Sequence, residues 1–332
     1  MLIIFRIFAV QKKNMVSRRY LRTKVMQAIF AHQMNDREDV VEGEKKLNDA
    51  IQSCYTLFIY FFSLFSAIYR YRVNKLEDLK NKINPTEADL NPNTKFVDNK
   101  VILQIDENVT LNKKFKELKI NWANDGDFIV QVNHEIVELP EYQHYMANPQ
   151  RSYNEDKELV LAIVEKVFVE SELIHWFFEE KNIHWFDDYN EALLMLYKNI
   201  QQFKESKMDN CTIATLFKPV AEGEESDQQF YKRLYTLTLA HNNEYEERIE
   251  QKLQNWELER IMELDIILMK MALCEFTEFP SIPVKVTINE YIELAKTYSS
   301  QKSKVFINGM LDKMAVDLKE EGKLNKMGRG LV

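Results

Sequence analysis

Seven basic side chains and no acidic one fall within the first 24 residues: Arg6, Lys12, Lys13, Arg18, Arg19, Arg22 and Lys24. The whole chain carries a formal −8 and this stretch +7, so the rest carries −15. A basic start on an acidic protein points to one specific anionic partner rather than general affinity for polyanions. At about 100° per residue, Arg18, Arg22 and Arg19 fall at roughly 0°, 40° and 100° of a helical wheel. Val25, Ile29, Met26 and Phe30 fall at about 340°, 20°, 80° and 120°. The arginines therefore continue the stripe that is apolar one turn later, whereas ordinary solvated charges belong on the opposite face. A helix of this pattern is expected to overhang its bundle where the stripe turns basic. Exposed guanidiniums there would grip phosphates bidentately and stack on bases. The alternative reading is an N-terminus that is merely solubilising.

Signals for catalysis are missing. The chain contains no G-x-x-x-x-G-K-[ST], no G-x-G-x-x-G and no H-E-x-x-H; its one G-x-G is Gly328-Arg329-Gly330, near the C-terminus. None of the six histidines pairs with another at metal-ligand helical spacing. Acidic pairs such as Glu179-Glu180 and Asp187-Asp188 read as solvated faces or helix starts. Three isolated cysteines, Cys54, Cys211 and Cys274, form neither a disulfide framework nor a zinc motif and suit the reducing cytoplasm. The sequence thus predicts a non-enzyme with no metal and no cofactor.

The elements that position the basic stretch read as helices throughout. Glycine is scarce, seven residues in 332, and sandwiches, barrels and Gly-rich nucleotide folds need more turn glycines than that. Helical periods run over 17–34, 39–82, 95–120 and 127–138, break near Pro140 and Pro149, and return at 155–180 and 188–206. They continue at about 227–241, 243–254, 258–276, 284–298 and 303–318, with loops at 84–93 and 219–226. The basic tail from Gly322 is expected to fray. Ala50–Tyr69 holds no charge. Its interspersed hydroxyls and tyrosines favour a buried bundle helix, with a membrane span as the alternative. Asp156–Trp185 also lays over Asp227–Trp256 without a gap, with Lys181 on Lys252 and tryptophan on tryptophan. Duplication of a helical unit explains this, and so does the shared helical period alone.

Two stretches carry a resemblance. The run IPVKVTINEYIELAKTYSSQKSKVFINGMLDKMA (282–315) is similar to the C-terminal signature of the NusB family of transcription antitermination factors. The helix before it, IILMKMALCEF (266–276), and SRRYLRTKVMQAIFAHQ (17–33) resemble the family's pre-signature helix and its arginine-rich first helix. The resemblance implies an all-α, NusB-like pair of helical bundles with a large helical insertion. Residues 1–14 are then a leader or an upstream mis-start. Residues 15–35 give the first core helix, 36–226 the insertion with a diverged repeat at 155–206, 227–318 the rest of the core, and 319–332 a basic tail.

The same resemblance implies binding of boxA-type single-stranded RNA from ribosomal RNA leader transcripts. The implied partners are a small-subunit ribosomal protein of the NusE type and the RNA polymerase antitermination complex, in the cytoplasm and away from any membrane. Carried over to this chain, Arg18, Arg19 and Arg22 would hold phosphates, with Lys24 beside them. Phe30 and Phe306 would be RNA-facing rings, although both lie on apolar stripes where core packing is an equal reading. Tyr20 stands where some members have another arginine, so the motif is one charge thinner. That thinning keeps open an alternative: a protein-interaction scaffold in ribosome biogenesis with weakened RNA binding.

Overall fold

Helix forms wherever apolar residues recur at spacings of three and four, and among the described residues no strand is present. A computed structural model describes residues 16–35, 39–207, 211–217, 220–221, 223–253, 262–300 and 302–331. The leader at 1–14 and Trp256, on which the repeat alignment ends, lie outside them. The helices are α1 (Arg18–Met34), α2 (Val40–Lys80), α3 (Glu87–Leu90), α4 (Lys100–Asp106) and α5 (Val109–Glu117). Next come α6 (Gly126–Glu138), α7 (Pro140–Ala147), α8 (Tyr153–Ile163), α9 (Glu172–Lys181) and α10 (Trp185–Gln201). The last five are α11 (Asp227–Ala240), α12 (Asn242–Lys252), α13 (Glu263–Glu278), α14 (Val284–Tyr298) and α15 (Ser303–Glu320).

Local chemistry explains where the elements depart from the helical periods. The 84–93 loop holds the single turn α3, closed by a capping box in which Thr86 and Asp89 bond each other's backbone. The 95–120 stretch is two short helices, each opened by an asparagine side chain, Asn99 and Asn108. Pro140 does not simply end a helix: it occupies the first turn of α7, where its missing N–H costs nothing. The 155–180 run is interrupted at Ser171, which caps α9. Before that break, α8 widens into a π turn at Val164–Phe168 that buries Val164, Val167 and Phe168.

The chain forms two compact units, one from Gln52–Leu216 and the other from Val16–Ile51 with Phe217–Val332; the division falls within α2. In the first unit, the uncharged stretch of α2 supplies Phe58, Phe61, Phe62 and Phe65, all fully buried. Phe61 packs on Phe168 and Tyr189 with ring centroids 5.9 and 5.3 Å apart. By length and composition α2 is the one helix among the described residues apolar enough to cross a bilayer, yet 72% of that apolar window is buried inside the fold.

In the second unit α13 is the central helix. It packs against α1, α11, α12, α14 and α15, and residues Ile267–Phe276 are buried on every side. Contrary to expectation, the tail is docked. Gly322, at φ 69°, ends α15 in a Schellman turn in which Lys323 N–H donates to Leu318 O and Gly322 N–H to Lys319 O. Lys326 Nζ then donates to the carbonyls of Glu275 (2.9 Å) and Phe279 (3.0 Å).

Candidate nucleic-acid interface

Helix α1 begins at Ser17, whose hydroxyl accepts from Tyr20 N–H, and packs on α11, α13 and α14. The expected overhang is absent: the stripe stays against the bundle through its first turn, because carboxylates wait there for the arginines. Arg22, only 3% exposed, donates Nε and Nη2 to the two oxygens of Glu275 at 2.6 and 2.9 Å. Glu275 also accepts from Thr287 Oγ1 (3.1 Å) and Tyr291 OH (2.8 Å), so a wholly buried carboxylate is fully bonded. Burial opposes the Arg22 charge, but the Glu275 carboxylate more than offsets this and raises its pKa above the ordinary arginine value.

Arg19 is the most exposed of the three, with 46% of its side chain open, and forks onto Glu290 with two bonds of 2.9 Å. Those bonds raise its pKa; burial pushes the Glu290 carboxyl up, but Arg19 holds it below the usual carboxylate range. Arg18 donates to Asp227 Oδ1 (3.1 Å) and to the Glu225 carbonyl (3.2 Å), with its guanidinium 4.6 Å from the centre of the Phe230 ring. Lys24 is buried, its ammonium 5.5 Å from the Tyr20 ring.

The aromatic candidates differ from one another. Phe30, 39% exposed, lies with Met26, Gln27, Met262, Glu263, Leu264 and Tyr298 around an open groove of about 510 Å³, in which Glu263 is the one charged lining residue among those described. A ring half out of the core beside an apolar trough is a surface on which a flat base can stack. Phe306 is half-buried on α15, between buried Ser303 and Ile307; that helix packs on α13 and α14.

The sequence offers Glu290 as a brace of the bundle, but does not show Glu275 and Asp227 as partners of the arginines. One signal was available: Lys270 and Glu275 interrupt an otherwise apolar run, and a charge inside a buried helix implies a buried partner. Lys270 indeed donates to Asn242 Oδ1 and Glu246 Oε2. Among the described residues no group of three or more His, Cys, Asp or Glu is placed to hold a metal ion. The three cysteines are buried and unbonded to one another, and burial pushes the Cys274 thiol up to about 12.

Fold and site together define an all-helical protein with an arginine-bearing helix ion-paired into a small bundle. The sequence model of the NusB family matches residues 190–316, opening inside α10 and running through most of α15. A protein of Salinibacter ruber named transcription antitermination protein NusB is 35% identical over 146 residues, 44% of this chain and 89% of the relative. Namesakes from Chloroherpeton thalassium and Listeria welshimeri are 38% identical over 105 residues and 30% over 118. These alignments cover 32% and 36% of this chain, and 50% and 91% of the respective relatives. No solved structure matches. The chain belongs to the NusB family, a family of non-catalytic factors, and is not an enzyme.

Proposed function

We propose that this chain is a transcription antitermination factor that binds boxA-type single-stranded RNA in ribosomal RNA leader transcripts. It does so with a small-subunit ribosomal protein of the NusE type, within an RNA polymerase antitermination complex in the cytoplasm. The relatives' names carry the antitermination part. The observation that carries RNA contact is Phe30: a large ring left 39% exposed at an apolar groove, on the same helix as the arginines. In this reading Arg19 and Arg18 meet phosphates, Phe30 stacks on a base, and Phe306 is a second ring. Arg22 and Lys24, both buried, act by holding α1 in place.

The test is titration of a leader transcript with and without the ribosomal protein. Phe30→Ser should cost on the order of 1–3 kcal/mol of binding, the worth of one stacked base. Unchanged affinity in the folded variant would remove RNA from the groove. The ion pairing of Arg18, Arg19 and Arg22 to the protein's own carboxylates favours a second reading, a scaffold whose RNA contact has lapsed. That reading wins if the ribosomal protein binds but leader RNA does not.

A further inference from the structure

The α9–α10 corner of the first unit exposes three large apolar side chains within eleven residues: Trp176 at 68%, Ile183 at 78% and Phe186 at 66%. The helices themselves do not need them there. Helix α9 buries Ile174 and Phe178 on its inner face, and on a helical wheel Trp176 projects from the opposite side. Helix α10 buries Trp185 and Tyr189, and Phe186 is the turn's outward residue. Single apolar residues on a surface are ordinary; two aromatics and an isoleucine exposed within one eleven-residue helical corner are more apolar side chain than one corner ordinarily leaves to water.

The surroundings of the patch are acidic. On α9 the outward neighbours of Trp176 are Glu172, Glu179 and Glu180, one turn to either side, and all are exposed. Asp187 follows Phe186 and is exposed too. Between Trp176 and Phe186 the one lysine or arginine, Lys181, is engaged by Asp125 at 3.3 Å, and the other basic side chain is the imidazole of His184. Aromatic anchors ringed by charge of one sign are the anatomy of a binding surface whose partner brings apolar anchors and the opposite charge. The three side chains precede residues 190–316, the stretch the family model matches.

We propose that the α9–α10 corner docks a basic, amphipathic protein segment, with Trp176, Ile183 and Phe186 receiving its apolar side chains and the glutamates its lysines or arginines. The site shares no residue with the RNA contact proposed for α1.

The probe is a synthetic helix with leucines on one face and lysines on the other, titrated by fluorescence anisotropy against the full chain. Its control replaces the leucines by serines at unchanged charge. The full chain should bind the leucine peptide at least about tenfold more tightly than the control. Trp176→Ser with Phe186→Ser should abolish that difference while leaving the circular dichroism spectrum and leader-RNA affinity unchanged. Equal binding of both peptides would reduce the effect to charge and overturn the proposal, as would undiminished binding to a folded double variant. A concentration-dependent dimer abolished by the same substitutions would assign the patch to a second copy instead. Co-sedimentation with anionic vesicles, lost in the variant, would assign it to a lipid surface.

Discussion

At the residue scale the pair Arg22–Glu275 decides more than any exposed charge. Neither side chain has water to fall back on, at 3% and 0% exposure, so removing one partner strands the other. Glu275→Gln keeps the shape but not the charge and should cost about 3–5 kcal/mol, read as a lower urea midpoint. Arg22→Lys should recover only part of the wild-type stability, because an ammonium cannot fork onto both carboxylate oxygens. A Glu275→Gln midpoint equal to wild type would show that the pair is energetically idle. The periodicity of α1 located the arginines correctly but assigned them to solvent, since a sequence window cannot display a carboxylate 253 positions away. Lys326 gives a second, pH-dependent signal. Burial pulls its amine down to about 8, with the Glu275 charge opposing. Between that value and the ordinary lysine range near 10.4 the unfolded chain binds the extra proton, so stability should rise with pH across this window. The rise should be missing in Lys326→Gln; a rise of the same size there would assign it to another group.

At the element scale, the long helices are legible in the sequence, whereas the single turn α3 and several helix ends are not. The 284–298 helix matches residue for residue because Pro283 and Ser299 bound a clean 3.6-residue period. The 95–120 and 155–180 segments were misjudged because asparagine and serine caps inside an apolar period leave the period itself unbroken. Shifted by the offset that sets Asp156 on Asp227, Leu159, Ile163, Ile174 and Phe178 fall on Phe230, Leu234, Tyr245 and Ile249, and all eight are buried. Duplication predicts this coincidence and so does a shared helical period alone; superposing 155–206 on 227–276, with the position of Trp256 compared to that of Trp185, decides between them. How closely helices approach was invisible in sequence. Gly43, in the first turns of α2, faces the Tyr235 hydroxyl of α11 so closely that an added Cβ would collide with it. Alanine gains up to about 1 kcal/mol in helix propensity, but overpacking costs about 1–3 kcal/mol, so Gly43→Ala should destabilise. Tyr235→Phe, which removes the colliding oxygen, should turn Gly43→Ala neutral or stabilising. Strict additivity of the two in a double-mutant cycle would show that they do not meet.

At the scale of the whole molecule, net charge sets how RNA can bind at all. A chain of −8 repels polyphosphate at long range, so affinity must come from a few local contacts and from a partner. Arg18 and Arg19 already hold Asp227 and Glu290 at 3.1 and 2.9 Å, so each phosphate contact exchanges one anion for another. The Coulombic gain of such an exchange is small, whereas release of counterions from the RNA remains and gives binding its salt dependence. With about −0.7 in log affinity per log salt for each single-strand phosphate contact, two available arginines predict a slope near −1.4. A third contact through Arg22 would make it about −2, but breaking the buried pair with Glu275 would cost more than the contact returns. Arg19→Ala should therefore reduce the slope by about 0.7 and weaken binding to most sequences alike. Phe30→Ser should weaken binding with little change of slope. Arg22→Lys should lower stability and leave the slope near −1.4 as long as the chain stays folded. These measurements belong in the presence of the small-subunit ribosomal protein, whose own contacts form a constant background that the differences between variants remove. A slope unaltered by Arg18→Ala with Arg19→Ala, in a protein that remains folded, would place the phosphates elsewhere and leave helix α1 as a strut of the bundle.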